Sequence, residues 1–228
     1  MYRKFLGTTM KDKTNFTGWK INEIFNSISG EYSIFGQGRT TTFVRFSGCV
    51  TRCLYCDTKH DSFLFLNKKD IMDQIEFLYR DTKHILITGG EPLLQPEAMM
   101  TIVGQFGNVW VETSGLVPFK EWIGKVPLVV DKKNPNDLIN NSEHVRFDLN
   151  EDYSMLGHND CIKFVVSSWD DLAMVKKFMK EINNRKVTVA ISPNYDKVSP
   201  RTLYEWARSE LNIPFVLNTQ LHKLINLK

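Results

Sequence analysis

The chain has 228 residues, and its hydrophobic content of 42% is typical of a packed globular protein rather than a disordered one. Its formal net charge of +3 is too small to indicate nucleic-acid binding, and no run of about 18 apolar residues is present to cross a membrane. Because no signal peptide is visible, we expect a cytoplasmic protein with reduced thiols. We expect residues 1–20 to be a basic extension and residues 21–228 to be a single domain.

Strand and helix patterns alternate along the chain, which predicts βαβ units and a mainly parallel sheet. Strand patterns occupy residues 42–46, 84–90, 108–113, 126–131, 162–168, 186–192 and 214–218. Helix patterns occupy residues 67–80, 96–106, 169–182 and 199–211, and two of them begin with the capping pairs Asn67/Asp70 and Ser168/Asp171. Residues 132–160 are polar and predict a long loop or a connection with weak structure. We expect an α/β fold, either an open sheet or a partial TIM-like barrel, with about six mostly parallel strands, flanking helices and ligands at the strands' carboxyl ends.

Three of the four cysteines lie together in the loop after the strand pattern 42–46, spaced Cys49-x3-Cys53-x2-Cys56. Structural zinc takes four ligands, usually from two CxxC pairs, so Cys161, His60 or another distant group would have to complete such a site. A cluster of four irons on three thiolates instead leaves one iron open to a substrate or cofactor. The spacing favours this iron–sulfur site, and a non-enzymatic zinc or iron–sulfur binding module is the alternative.

Two motifs together resemble the radical S-adenosylmethionine enzymes. One is the cysteine triplet with Tyr55 just before its last cysteine, and the other is the segment Thr88-Gly89-Gly90-Glu91-Pro92 at a strand's end. The resemblance implies a [4Fe-4S] cluster whose open iron is chelated by S-adenosylmethionine, yielding a 5′-deoxyadenosyl radical. The glycines fit this role because they let backbone approach a ligand closely.

A narrower resemblance is spread over nearly the whole chain from residue 21. The segments INEIFNSISGE (21–31), RFSGC (45–49), CDT (56–58) and QLHK (220–223) are similar to the 7-carboxy-7-deazaguanine synthase family. The resemblance implies a carbon–nitrogen lyase that converts 6-carboxy-5,6,7,8-tetrahydropterin to 7-carboxy-7-deazaguanine with release of ammonia, on the route to queuosine. It further implies a partial barrel, a homodimer, Mg²⁺, an external flavodoxin-like one-electron reductant and no direct contact with nucleic acid.

The same resemblance assigns candidate site residues. The cluster ligands would be Cys49, Cys53 and Cys56, and Thr58 would bind Mg²⁺ through a hard hydroxyl oxygen. Residues expected beside S-adenosylmethionine are Tyr55, Asp57, Gly90, Glu91, Lys133, Ser192 and Asn194. Residues expected beside the pterin are Ile28, Ser29, Gly30, Arg45, Thr88, Glu112 and His222, with the Arg45 fork suited to a carboxylate.

Departures from the family pattern predict a divergent member. Ser29 stands where Gln is usual, Val50 where Asn is usual, and residues 131–133 read Asp-Lys-Lys instead of Ser-Pro-Lys. The nearest rival function is another radical S-adenosylmethionine enzyme, such as an activase that places a glycyl radical on a partner protein. That rival shares the cysteine triplet, but it would not call for Asp57-Thr58 together with the Gln220-x-His222-Lys223 segment.

Overall fold

The computed structural model describes residues 9–11, 18–56 and 58–227, without the side chains of residues 9–11 and 140. Its strands are β1 (Thr9–Lys11), β2 (Ile21–Ile28), β3 (Thr40–Phe46), β4 (Thr51–Cys53), β5 (Ser62–Leu64), β6 (Ile85–Gly89), β7 (Val109–Thr113), β8 (Leu128–Asp131), β9 (Leu138–Asn141), β10 (Cys161–Val166), β11 (Thr188–Pro193) and β12 (Val216–Leu217). Its α-helices are α1 (Lys68–Thr82), α2 (Pro96–Gln105), α3 (Asn150–Met155), α4 (Trp169–Ile182), α5 (Pro200–Glu210) and α6 (Leu221–Leu224).

One eight-stranded sheet organises the molecule, in the order β12-β11-β10-β8-β7-β6-β3-β2. Every neighbouring pair is parallel except β2 and β3, which are antiparallel. The mostly parallel α/β fold with flanking helices is confirmed, and the sheet has eight strands rather than about six. Strand β2 has no simple alternating pattern because Ile24 and Phe25 are adjacent and both buried, one in each core cluster.

The two faces of the sheet differ in what covers them. The main core cluster joins the sheet to the apolar sides of α1, α2, α4 and α5, with Ile75, Ile102, Val175 and Leu203 among its fully buried members. A smaller cluster on the other face includes Phe43, Leu86, Trp110, Val129 and Cys161. The helices therefore cover one face, which leaves the other face for a cavity.

Local signals fix where the long helices begin. The Asn67 side chain accepts from the Asp70 backbone N–H at 2.9 Å at the start of α1. At the start of α4, Ser168 and Asp171 form the reciprocal capping box. Both capping predictions are confirmed.

Residues 132–160 and parts of the expected N-terminal extension contribute to the fold. Residues 132–160 contain β9 and α3, and Tyr153 of α3 is fully buried between Phe119 and Phe178. Within residues 1–20, β1 pairs with β5 and Trp19 belongs to the main core. Among the described residues, no helix has the length and apolar character needed to span a membrane.

Candidate active site

A cavity of about 570 Å³ lies on the face of the sheet opposite the long helices. Residues near the carboxyl ends of five parallel strands line it, which is where ligands gather in such sheets. These residues are Thr88, Gly89, Glu112, Asp131, Val165, Ser192 and Pro193. Further parts of the wall come from residues 220–223 and from the loop that carries Cys49, Cys53 and Cys56, here called the cysteine loop.

The cysteine loop leaves β3 and contributes Cys53, Tyr55, Cys56 and Thr58 to the cavity wall. Hydrogen bonds from Gly48 N to His60 O at 2.9 Å and from Cys56 N to Cys53 O at 3.2 Å hold its shape. Strand β4 ends at Cys53 and pairs with β9. The segment that follows β8 therefore holds the cysteine loop through backbone hydrogen bonds. Asp57 lies outside the described residues, and its expected contact with S-adenosylmethionine stays a prediction.

The three loop thiols lie near enough to act on one another electrostatically. Burial raises the pKa of Cys53 to about 11; the Lys133 charge opposes this rise, and Asp131, Cys49 and Cys56 add to it. Burial likewise raises the pKa of Cys49. Within the described residues, no three His, Cys, Asp or Glu side chains converge closely enough to hold a single metal ion.

The donor set of this loop fits an iron–sulfur cluster. Cys49 and Cys53 are half-buried and Cys56 is exposed, and all three are thiols outside any disulfide in the described part of the chain. Three soft donors in one short loop beside an open cavity suit a cluster with one accessible iron. Cysteine must lose its proton to bind iron, so cluster binding at these raised pKa values releases protons.

Residues 88–92 at the end of β6, here called the glycine segment, pack directly on the start of the cysteine loop. Gly89 has φ of +118°, and Gly90 N donates to Phe46 O at 2.9 Å. Glu91 N donates to Gly48 O at 2.8 Å. This contact fixes the loop against the sheet, and Gly89 lines the cavity.

The Glu91 carboxylate is fully buried behind this contact. It accepts from Thr113 Oγ1 at 2.8 Å, from Ser114 N at 2.9 Å and from Leu93 N at 3.1 Å, and also from the Ser114 hydroxyl. These bonds tie β6 to the end of β7. In this arrangement the carboxylate anchors the backbone of the glycine segment, and its direct contact with S-adenosylmethionine stays a prediction.

All seven residues expected beside the pterin line this cavity. They are Ile28, Ser29, Gly30, Arg45, Thr88, Glu112 and His222. Three of them form a row on neighbouring strands. Arg45 is the register partner of Thr88, and Thr88 Oγ1 donates to Glu112 Oε2 at 3.3 Å. Arg45 Nη1 lies 3.0 Å from Glu23 Oε1, and its guanidinium stacks 5.2 Å from the centre of the Phe25 ring.

Glu112 has an environment that favours its neutral form. Burial raises its pKa to about 7; the Lys163 ammonium opposes the rise, and the nearby Glu31 and Asp131 carboxylates add to it. A protonated carboxyl can donate a hydrogen bond as well as accept one. Glu112 is therefore suited to a polar ring edge in the cavity.

Among the residues expected beside S-adenosylmethionine, Tyr55, Lys133, Ser192 and Asn194 line the cavity, and Gly90 follows the lining residue Gly89. Lys133 Nζ lies 2.7 Å from Asp131 Oδ2 and 5.2 Å from the centre of the Tyr55 ring. Asn194 Nδ2 donates to Ser167 Oγ at 3.0 Å. Lys133 thus links the cysteine loop to the carboxyl end of β8.

A buried charge network in the same cavity was not expected from the sequence. Lys163 Nζ lies 2.5 Å from Glu31 Oε2 and 3.5 Å from Asp131 Oδ2. Burial alone would lower the pKa of Lys163, but these two carboxylates and Glu112 raise it well above its ordinary value. One sequence signal was available, because Lys163 is a charged residue inside an otherwise apolar strand.

A family model matches the part of the chain that contains the cysteine loop and the glycine segment. Residues 43–123 match the family model described as the Radical SAM superfamily. The cysteine loop, the glycine segment and this match place the chain in the class of radical S-adenosylmethionine enzymes.

Full-length relatives narrow the class further. The chain is 30% identical over 221 residues to the 7-carboxy-7-deazaguanine synthase of Clostridium acetobutylicum, covering 91% of this chain and 96% of that protein. It is 32% identical over 220 residues to the enzyme of that name from Methanospirillum hungatei, covering 92% and 87%. The enzyme of the same name from Chlorobaculum tepidum is 30% identical over 214 residues, covering 90% and 93%. The chain belongs to the 7-carboxy-7-deazaguanine synthase family.

Proposed function

We propose that this protein converts 6-carboxy-5,6,7,8-tetrahydropterin to 7-carboxy-7-deazaguanine with release of ammonia, as a step in 7-deazapurine and queuosine biosynthesis. One observation carries the proposal. The cysteine loop and the row of polar residues on β3, β6 and β7 face the same cavity of about 570 Å³. Cofactor and substrate can therefore lie side by side, in a space of the size that small-molecule sites use.

Cys49, Cys53 and Cys56 would hold the [4Fe-4S] cluster. When bound together, the cluster and S-adenosylmethionine supply a 5′-deoxyadenosyl radical, which is the hydrogen-abstracting agent of this enzyme class. The protein's own part is positioning. Lys133 and Tyr55 hold the loop against β8, and Ser192 and Asn194 provide polar groups at the carboxyl end of β11.

Arg45 is proposed to bind the carboxylate of the pterin. Its guanidinium carries five N–H donors, so the contact with Glu23 leaves capacity for a second carboxylate. The guanidinium also lies over the Phe25 ring, and its planar fork is suited to a two-point hydrogen bond with a carboxylate. Thr58, on the same cavity wall, is proposed to bind Mg²⁺ through its hydroxyl oxygen beside this carboxylate.

Glu112 is proposed to bind the guanidine-like edge of the pterin ring, with Ile28, Ser29 and Gly30 lying along the ring. Thr88 holds the Glu112 carboxyl in place from the adjacent strand. A pKa near 7 lets Glu112 change protonation state in the physiological range, so its carboxyl can match either a donor or an acceptor.

We further propose that the enzyme is a homodimer, takes single electrons from a flavodoxin-like reductant and acts in the cytoplasm. A cytoplasmic location fits because the cytoplasm keeps thiols reduced, and the three cysteines must be reduced to bind the cluster. Cys56 is exposed and lines the cavity, which suits electron delivery from an external protein. A radical acting on a small pterin calls for no protein substrate and no direct nucleic-acid contact.

Anaerobic turnover of the cluster-reconstituted protein tests this function. We expect 7-carboxy-7-deazaguanine by mass spectrometry when 6-carboxy-5,6,7,8-tetrahydropterin, S-adenosylmethionine, Mg²⁺ and a reductant are supplied together. The same assay with Thr58→Ala is expected to lose its dependence on added Mg²⁺ along with most of its rate. If 5′-deoxyadenosine forms with no deazaguanine under any of these conditions, the radical class stands and the substrate assignment fails.

A further inference from the structure

The sheet leaves a seam between its two edges, and loop segments bridge it. Strands β2 and β12 stand at opposite ends of the sheet order, and in the described residues they do not pair with each other. Residues 29–38 follow β2, and residues 218–227, here called the strap, follow β12. Leu221 N donates to Gly30 O at 2.8 Å, and Tyr32 N donates to Asn218 Oδ1 at 2.7 Å. The strap therefore covers the side of the cavity that the sheet does not.

Glu31 is the junction between the sheet and the strap. Its Oε2 lies 2.5 Å from Lys163 Nζ, which projects from β10. Its Oε1 accepts from Gln220 Nε2 at 2.8 Å, and Oε2 also lies 3.4 Å from Asn218 Nδ2. One carboxylate thus connects the wall of the sheet to two residues of the strap.

The junction is protected from water and stays charged. The Glu31 and Lys163 side chains are only 18% and 8% exposed. Burial by itself raises the pKa of Glu31, but the Lys163 charge, hydrogen bonds from Lys163 and Gln220, and His222 outweigh it and lower the pKa to about 2. Charge-assisted hydrogen bonds of this kind are stronger than neutral ones.

Close packing makes the position of the strap specific. A Cβ atom at Gly30 would lie 1.8 Å from His222 Nδ1, so only glycine lets the imidazole lie there. Gln37 Nε2 donates to Gly30 O at 2.8 Å and also to Thr219 O. Gln220, His222 and Lys223 reach the cavity wall as a consequence.

We propose that Glu31 is a positioning residue that locks the strap across the seam through Lys163 and Gln220, and thereby completes the pterin-binding wall. The inference rests on the proposed function for the identity of the ligand alone. The lock itself is a property of the protein and has a readout independent of turnover. In this role Glu31 acts through the hydrogen bonds that its two oxygens accept from Lys163 and Gln220.

Hydrogen–deuterium exchange of the reconstituted enzyme with S-adenosylmethionine bound measures the lock directly. Leu221, Lys223 and Ile225 donate backbone hydrogen bonds and are expected to exchange slowly in the wild type. In Gln220→Ala the buried Glu31–Lys163 pair is kept, and we expect exchange in the strap to rise about tenfold, as for loss of one charge-assisted bond. Gln105→Ala, on the exposed end of α2, is the matched control and should leave the strap unchanged.

Glu31→Gln and the double variant complete the test. Both substitutions break the same hydrogen bond, the one from Gln220 to Glu31. The double variant should therefore raise strap exchange no further than the stronger single variant. The KM for the pterin should rise about tenfold in each single variant, with a smaller change in kcat. Unchanged strap exchange in both single variants overturns the lock. A wild type that makes no deazaguanine, while Gln220→Ala still loosens the strap, overturns the proposed function and supports the lock.

Discussion

The carbonyl oxygen of Gly48 lies where the side chain of any other residue at position 90 would begin. A Cβ atom at Gly90 would be 1.8 Å from Gly48 O, and Glu91 N donates to the same oxygen at 2.8 Å. The end of β6 and the start of the cysteine loop are therefore in direct backbone contact. We therefore expect the positions of the three cysteines to depend on the close backbone contact between Gly48 and Gly90.

Gly90→Ala is expected to displace the cysteine loop, because the clash is with backbone and not with a flexible side chain. Iron content after anaerobic reconstitution should fall below half of the wild-type value, and the melting temperature should drop by several degrees. Gly104→Ala is the control, since a Cβ atom there meets nothing within 4 Å in α2. The control should be stabilised slightly, by about 0.4–1 kcal/mol. Equal iron content in the two variants would show that the glycine contact is irrelevant to the cluster.

Lys163→Met should destabilise the protein strongly. The substitution leaves the Glu31 and Asp131 carboxylates without their shared cation in a buried site, at a cost of about 3–5 kcal/mol. Denaturant unfolding measures this loss. Lys176→Met is the control, because Lys176 pairs with Glu210 on the surface and such pairs contribute about 0–1 kcal/mol. A loss at position 163 no larger than at position 176 would contradict the buried network.

Glu112 should make the stability of the protein depend on pH. Its pKa is raised by burial from 4.5 to about 7, so the neutral form stabilises the fold fully below pH 4.5. That contribution is lost as the pH rises through 7. Melting temperatures between pH 5 and 8 should therefore decline more steeply in the wild type than in Glu112→Gln. Glu121→Gln, at an exposed position, should follow the wild type. Parallel curves for the wild type and Glu112→Gln would refute the raised pKa.

Arg45→Lys should weaken pterin binding while leaving S-adenosylmethionine binding intact. A lysine keeps the charge but loses the two-point hydrogen bond that a planar guanidinium can form and its contact over the Phe25 ring. We expect the KM for the pterin to rise about 10- to 100-fold, as for loss of a hydrogen bond to a charged group. Arg201→Lys on the exposed side of α5 should behave as the wild type. An unchanged KM in Arg45→Lys would remove Arg45 from the substrate site.

The sequence was sufficient for features that depend on neighbours along the chain. The capping pairs Asn67/Asp70 and Ser168/Asp171 and the run of parallel strands are local or periodic signals, and the structure has them all. The Lys163–Glu31 pair is 132 positions apart, so no local pattern reveals it. Strand β2 was not predicted because both of its faces carry buried residues, Ile24 on one and Phe25 on the other, and this removes the alternation that identifies a half-exposed strand.

The most direct test for a cluster with one open iron is the electron paramagnetic resonance spectrum of the reduced cluster, recorded with and without S-adenosylmethionine. We expect a [4Fe-4S]⁺ signal whose g-values shift when S-adenosylmethionine is added, because the ligand binds the iron that no cysteine holds. Cys53→Ala should abolish the signal, and Cys161→Ala, in buried strand β10, should preserve it. A wild-type signal that S-adenosylmethionine leaves unchanged, or a protein that binds no iron, would contradict the account.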